Sequence, residues 1–148
     1  MSPLLRIDPA TGHLHLGDGI ITPATTPADL GADFHLDEPR TVQVLERQVS
    51  CRFAHLALRG GHLDIQLSLR FEGERLVSLF ISLNDPADSD DDFYAALPRR
   101  ERLHRHWLTA WLGERIDFPW GTAGVARDKS ENVFIYLHNR NNGWAFAG

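Results

Sequence analysis

The chain has 148 residues and a net charge of −5, with 43% hydrophobic and 24% charged residues. The size suits one domain over residues 1–148, and the composition is globular, which excludes whole-chain disorder, collagen or coiled coil. The acidic balance argues against nucleic acid and anionic lipid as partners and favours a basic one.

Cys51 is the only cysteine, so no intramolecular disulfide is expected, in keeping with a reducing compartment. Residues Met1 to Asp8 lack the basic start and apolar run of a signal peptide. No apolar stretch approaches the roughly 18 residues a spanning helix needs. A cytoplasmic location is the expectation.

Leu5–Ile7 and His13–Leu16 flank Asp8-Pro9-Ala10-Thr11-Gly12, whose turn chemistry predicts an N-terminal hairpin. Thr26 is a natural N-cap, Pro27 suits the first helical position and Asp29 places an acid in the first turn, so a short helix is expected from Pro27 to about Ala32. Val42–Glu46 and Ser50–Leu58 are candidate strands.

Leu63, Ile65, Leu67, Leu69 and Phe71 alternate with Asp64, Gln66, Ser68 and Arg70, a strand with one wet face. Glu72-Gly73 turns the chain. Val77, Leu79, Ile81 and Leu83 then alternate with Ser78, Phe80 and Ser82. The small and aromatic residues on that second face predict a central strand covered on both sides.

Asn84 to Asp92 is an acidic loop. The pattern after it predicts a helix beginning near Phe93 or at Pro98 and capped by Gly113. Leu103, Trp107, Ala110 and Trp111 form its apolar stripe, widened by Leu108 and Leu112. Trp120–Arg127 and Asn132–Leu137 read as a last hairpin, followed by a polar tail from about Asn139 to Gly148. Trp107, Trp111 and Trp120 are expected in the core. Without a βαβ rhythm, the order predicts an α+β fold: a mainly antiparallel β-sheet packed by one main α-helix plus a short helix.

No phosphate-cradling loop, dinucleotide-binding glycine motif, nucleophile elbow or zinc-protease motif is present, and no cofactor is expected. His13 and His15 share a strand face but lack further ligand candidates, so no metal site is expected. Asp88, Asp90 and Asp92 alternate like the opening of a calcium loop. Phe93 and Arg99 then occupy the positions where Gly and Glu are required, and the motif fails.

Two constellations remain. Asp85, Asp88, Asp90, Asp91 and Asp92 form a negative patch able to engage a basic protein or to occupy a nucleic-acid-binding cleft, and Trp144 in the tail is a candidate interface anchor. Alternatively, His104 with Arg99, Arg102 and Arg105 forms an anion pocket in a small enzyme or ligand-binding domain. A subunit exposing a sheet edge to a second copy is a third possibility, and the sequence fixes no oligomeric state.

Several blocks together resemble a group of small bacterial proteins, some of them immunity proteins of polymorphic or contact-dependent toxin systems. They are Gly19-Ile20-Ile21-Thr22-Pro23 with Thr26 and Leu30; Ile65…Phe71-Glu72-Gly73-Glu74-Arg75-Leu76-Val77-Ser78-Leu79; His104-x-x-Trp107-Leu108-x-x-x-Leu112-Gly113; and Phe118-Pro119-Trp120-Gly121…Asp128-Lys129-Ser130 before Ile135-Tyr136. Arg127-Asp128 stands where the group carries Tyr-Asp before the lysine. The resemblance implies a non-catalytic cytoplasmic protein that binds and neutralises a cognate toxin, and it brings no catalytic residues with it.

Overall fold

A computed structural model describes residues 5–44, 46–86 and 93–141. Strands β1 (Leu5–Ile7), β2 (Leu14–Leu16) and β3 (Gly19–Ile21) form a small antiparallel sheet. The turn between β1 and β2 closes where Asp8 accepts the Ala10 amide at 2.9 Å, an Asx turn of the kind the Asp-Pro sequence favours.

The short helix expected from Pro27 to Ala32 is a single 3-10 turn over Pro27–Asp29. The Asp29 carboxylate accepts both the backbone N–H and the hydroxyl of Thr26, at 2.9 and 3.0 Å. That contact closes the first turn, and the chain turns extended at Leu30.

The main sheet contains β4 (His35–Leu36), β5 (Arg40–Val44), β6 (Arg47–Gly60), β7 (Leu63–Glu72), β8 (Arg75–Asn84), β9 (Asp117–Phe118), β10 (Gly121–Arg127) and β11 (Val133–Asn139). Its order is β4-β6-β7-β8-β11-β10-β9, with β5 also paired to β6, and every pairing is antiparallel. The strand expected at Val42–Glu46 lies two residues earlier, at Arg40–Val44, and the one expected at Ser50–Leu58 is longer, because β6 runs from Arg47 and pairs with β5, β4 and β7 along its length. The hairpin of β7 and β8 turns at Gly73, whose φ of 63° suits glycine.

Helix α1 spans Phe93–Leu112. It begins at the earlier of the two expected points, with Pro98 inside its second turn, and stops before Gly113 at φ 72°. Its buried row is Ala96, His104, Leu108 and Leu112. Leu103, Trp107 and Trp111 pack half-buried against the core, whereas Ala110 of the expected stripe is exposed.

All of these layers lie on one face of the main sheet. Leu67, Leu69, Leu79, Ile81, Ile135 and Leu137 on that face join Leu108 and Leu112 of α1 and Leu5, Ile7, Leu14 and Ile21 of the small sheet in one core. Each such side chain contributes roughly 1.5–3 kcal/mol by burial. Trp120 is half-buried, stacks on Phe118 at 4.7 Å between centroids and donates its indole N–H to the Pro9 carbonyl at 2.9 Å, tying the small sheet to the large one.

The tail does not begin at Asn139. That residue is buried at the end of β11 and donates its side-chain amide to the Leu76 carbonyl at 2.9 Å. Arg140 binds the Phe118 carbonyl at 2.8 Å.

Candidate partner-binding face

The opposite face of the main sheet is built by the other half of the same alternation. Its central rung crosses five strands in register: His55, Ser68, Phe80, Tyr136 and Gly124. A neighbouring rung carries Phe53, Arg70, Ser78, His138 and Thr122. On the other side lie Ala57, Gln66 and Ser82, with Phe134 paired to Ala126.

This face is not covered in the way the Ser78, Phe80 and Ser82 pattern suggested. Ser78 is buried, but Phe80 and Ser82 are half-buried, as are Phe53, Phe134 and Tyr136. The helix and small sheet are both committed to the far side. Among the described residues, no helix or second sheet packs on this face.

The aromatic side chains organise one another. Phe80 meets Phe134 edge-on, with centroids 5.7 Å apart and planes at 80°. It also meets His138 edge-on, and Tyr136 stacks on His138 at 4.9 Å. Such contacts hold large rings in fixed poses, which lowers the ordering cost when a partner covers them. Gly124 makes room for the Tyr136 ring, because a Cβ there would lie 2.6 Å from the Tyr136 hydroxyl.

Polar chemistry runs along one side of the face. His55 Nε2 lies 2.8 Å from Asp37 Oδ2, and its Nδ1 lies 2.9 Å from the Ser68 hydroxyl. The hydrogen bond from His55 is the main reason the Asp37 carboxyl is held below the usual carboxylate range. In the neutral ring, Nε2–H donates to Asp37 and Nδ1 accepts the Ser68 hydroxyl hydrogen. Ser68 sits inside a paired strand between β6 and β8. Its neighbouring backbone amides are therefore engaged in ladders rather than gathered as an oxyanion hole. The arrangement fixes side chains and does not amount to a hydrolytic site.

His104 is 1% exposed and lies inside the core, away from the exposed Arg102 and Arg105. Its Nε2 accepts the Leu83 amide at 2.9 Å, and Nδ1–H donates to the Arg100 carbonyl at 2.6 Å. Both ring nitrogens are occupied. Burial pushes its pKa down, opposed by the Arg100 bond. Arg99 is likewise exposed on α1. The three arginines and His104 do not converge on a common hollow: His104 borders one beside Arg100 and Leu83, whereas Arg105 borders another beside Gly113 and Val125.

Of the acidic patch, Asp85 is half-buried, with its Oδ2 at 3.8 Å from His62 Nε2. Asp88, Asp90, Asp91, Asp92 and Trp144 lie outside the described residues. His13 and His15 are half-buried, and no group of three metal-ligating side chains occurs among the described residues. Cys51 is buried. No described helix is long and apolar enough to cross a membrane.

The aromatic face was not singled out by sequence reasoning, although its signal was present. Phe134, Tyr136 and His138 alternate with the buried Val133, Ile135 and Leu137, and Phe53 and His55 alternate with Ala54 and Leu56.

No protein-family model and no curated protein matches the chain. Among solved structures, it is similar to a chain of Rhs1-CT in complex with cognate immunity protein RhsI1. The match has a TM-score of 0.57 and 16% identity and covers 93% of this chain and 88% of that chain. At that identity the likeness establishes a shared α+β fold.

Proposed function

We propose that this chain is a non-catalytic bacterial immunity protein that binds and neutralises a cognate toxin in the cytoplasm, using the open aromatic face of its main sheet. The observation that carries the reading is the fold likeness to the immunity-protein complex over nearly the whole of both chains. The bare face supports it: rigid, half-exposed aromatic residues are the anchors that dominate protein interfaces. A histidine with both nitrogens spent inside the core gives no support to acid–base chemistry at His104.

In this reading the acidic segment Asp85 to Asp92 steers a basic toxin towards the face and Trp144 is a further anchor. Steering by charge raises the association rate more than the final affinity. The experiment is a tagged pull-down from the native host read by mass spectrometry, followed by expression of the captured partner. A stoichiometric partner that arrests growth alone, and does not when this chain is co-expressed, is the expected result. A partner that is harmless when expressed alone overturns the proposal.

A further inference from the structure

Over the central rung, the open face dips into a hollow bordered by Phe53, Ser68, Phe80, Phe134, Gln66, Ser82, Asp128 and Asn132. Its composition is specific. Two phenyl rings stand edge to face. One carboxylate, Asp128, closes the hollow at the turn between β10 and β11. The Ser82 hydroxyl donates to the Val133 carbonyl at 3.0 Å, which leaves its own oxygen as an acceptor. Gln66 is exposed and adds an amide oxygen. Among the described residues, no arginine, lysine or histidine borders the hollow.

Lys129, next to Asp128 in sequence, is exposed and does not border the hollow, and two neighbouring arginines are paired with acids. Arg127 lies between Glu101, at 2.6 Å, and Glu131, at 3.0 Å. Arg59 is 3.9 Å from Asp64. Arg70 lies cross-strand from Phe53 and does not itself border the hollow.

We infer that this hollow is the receptor for an arginine side chain presented by the protein partner. The inference rests on the proposed binding role of the open face and names the chemistry its partner brings there. Aromatic faces attract a cation through their quadrupole, and the planar, weakly hydrated guanidinium stacks on rings where an ammonium does not. Asp128 supplies a carboxylate for a charge-assisted hydrogen bond. Its turn holds it in place: Oδ1 accepts the amides of Ser130 and Asn132 at 2.8 and 3.0 Å, and Oδ2 accepts the Asn132 side-chain amide at 3.1 Å. Those bonds, from Asn132 first, keep the carboxyl below the usual carboxylate range, so it stays charged at neutral pH. The chain's net charge of −5 acts in the same direction.

The test titrates the nitrogen-15-labelled full chain with N-acetyl-arginine methylamide, and separately with its neutral citrulline isostere, following backbone amides by NMR. The expected result is saturable shifts at Gln66, Phe80, Ser82, Asn132 and Phe134 with the arginine compound alone. Asp128→Asn, which keeps a turn-forming side chain, and Phe134→Leu, which keeps the strand apolar, should each weaken binding about fivefold. Equal shifts with citrulline, shifts scattered over the whole acidic surface, or unchanged affinity in both variants would each overturn the inference. The probe is a small molecule, so this outcome is independent of whether the pull-down yields a toxin.

Discussion

His104 accepts the Leu83 amide at 2.9 Å while its other nitrogen donates to the Arg100 carbonyl of its own helix. The ring therefore clamps α1 to the end of β8 in one tautomer. His104→Ala removes this clamp, strands a buried N–H and opens a cavity. It is expected to lower stability by about 3 kcal/mol, read as a shift of the urea midpoint.

The same burial has a pH consequence. The pKa values of His104 and His138 both lie below their ordinary value; burial is the main cause, with Arg70 adding to it at His138. A histidine lowered in the folded state binds its proton more readily when unfolded. Its stabilising contribution is complete above the unfolded pKa near 6.5 and is lost as pH falls from there towards the folded value. Urea unfolding at pH 7.5 and 5.5 should show lower stability at 5.5. His104→Leu should show a smaller difference between the two.

Two glycines on one strand should respond differently to alanine. At Gly121 a Cβ would lie 1.9 Å from the His138 carbonyl oxygen, so β10 and β11 must separate. Gly121→Ala is expected to cost more than about 2 kcal/mol. At Gly124 the clash is with the end of the Tyr136 side chain, which can swing aside. Gly124→Ala should cost under about 1 kcal/mol and still weaken partner binding, because it moves a ring on the binding face. Thermal unfolding and calorimetric titration measure the two effects separately.

Replacing Asp88, Asp90, Asp91 and Asp92 by Asn should slow association with the partner by about tenfold and flatten its dependence on salt, with a smaller change in dissociation. Stopped-flow kinetics between low and physiological ionic strength provide the check. An unchanged association rate would remove this segment from the steering role.

The alternation of Leu63 to Phe71 and of Val77 to Leu83 made the central hairpin legible, because a period of two has one physical meaning in a strand of that length. The fate of Phe80 and Ser82 was not legible. Whether a small or aromatic sheet face is covered depends on how the remaining layers are shared out, and here α1 and the small sheet both went to the other side. His104 was misplaced towards the arginines for a related reason. Its spacing of four from Leu108 and eight from Leu112 puts it on the buried row, but its polarity suggested the wet side. A hydrogen bond to a residue 21 positions away in the chain is invisible in local pattern. Short β4 and β9 carry two residues each and owe their pairing to neighbours rather than to propensity.

In the proposed role, the open aromatic face neutralises a toxin. The most direct test of that role is growth of cells expressing the captured partner together with either the wild-type chain or a Phe80→Ser, Phe134→Ser double variant shown by circular dichroism and thermal unfolding to be folded. Protection by the wild type and loss of protection by the folded variant is the predicted result. Full protection by the folded variant would show that neutralisation does not use this face.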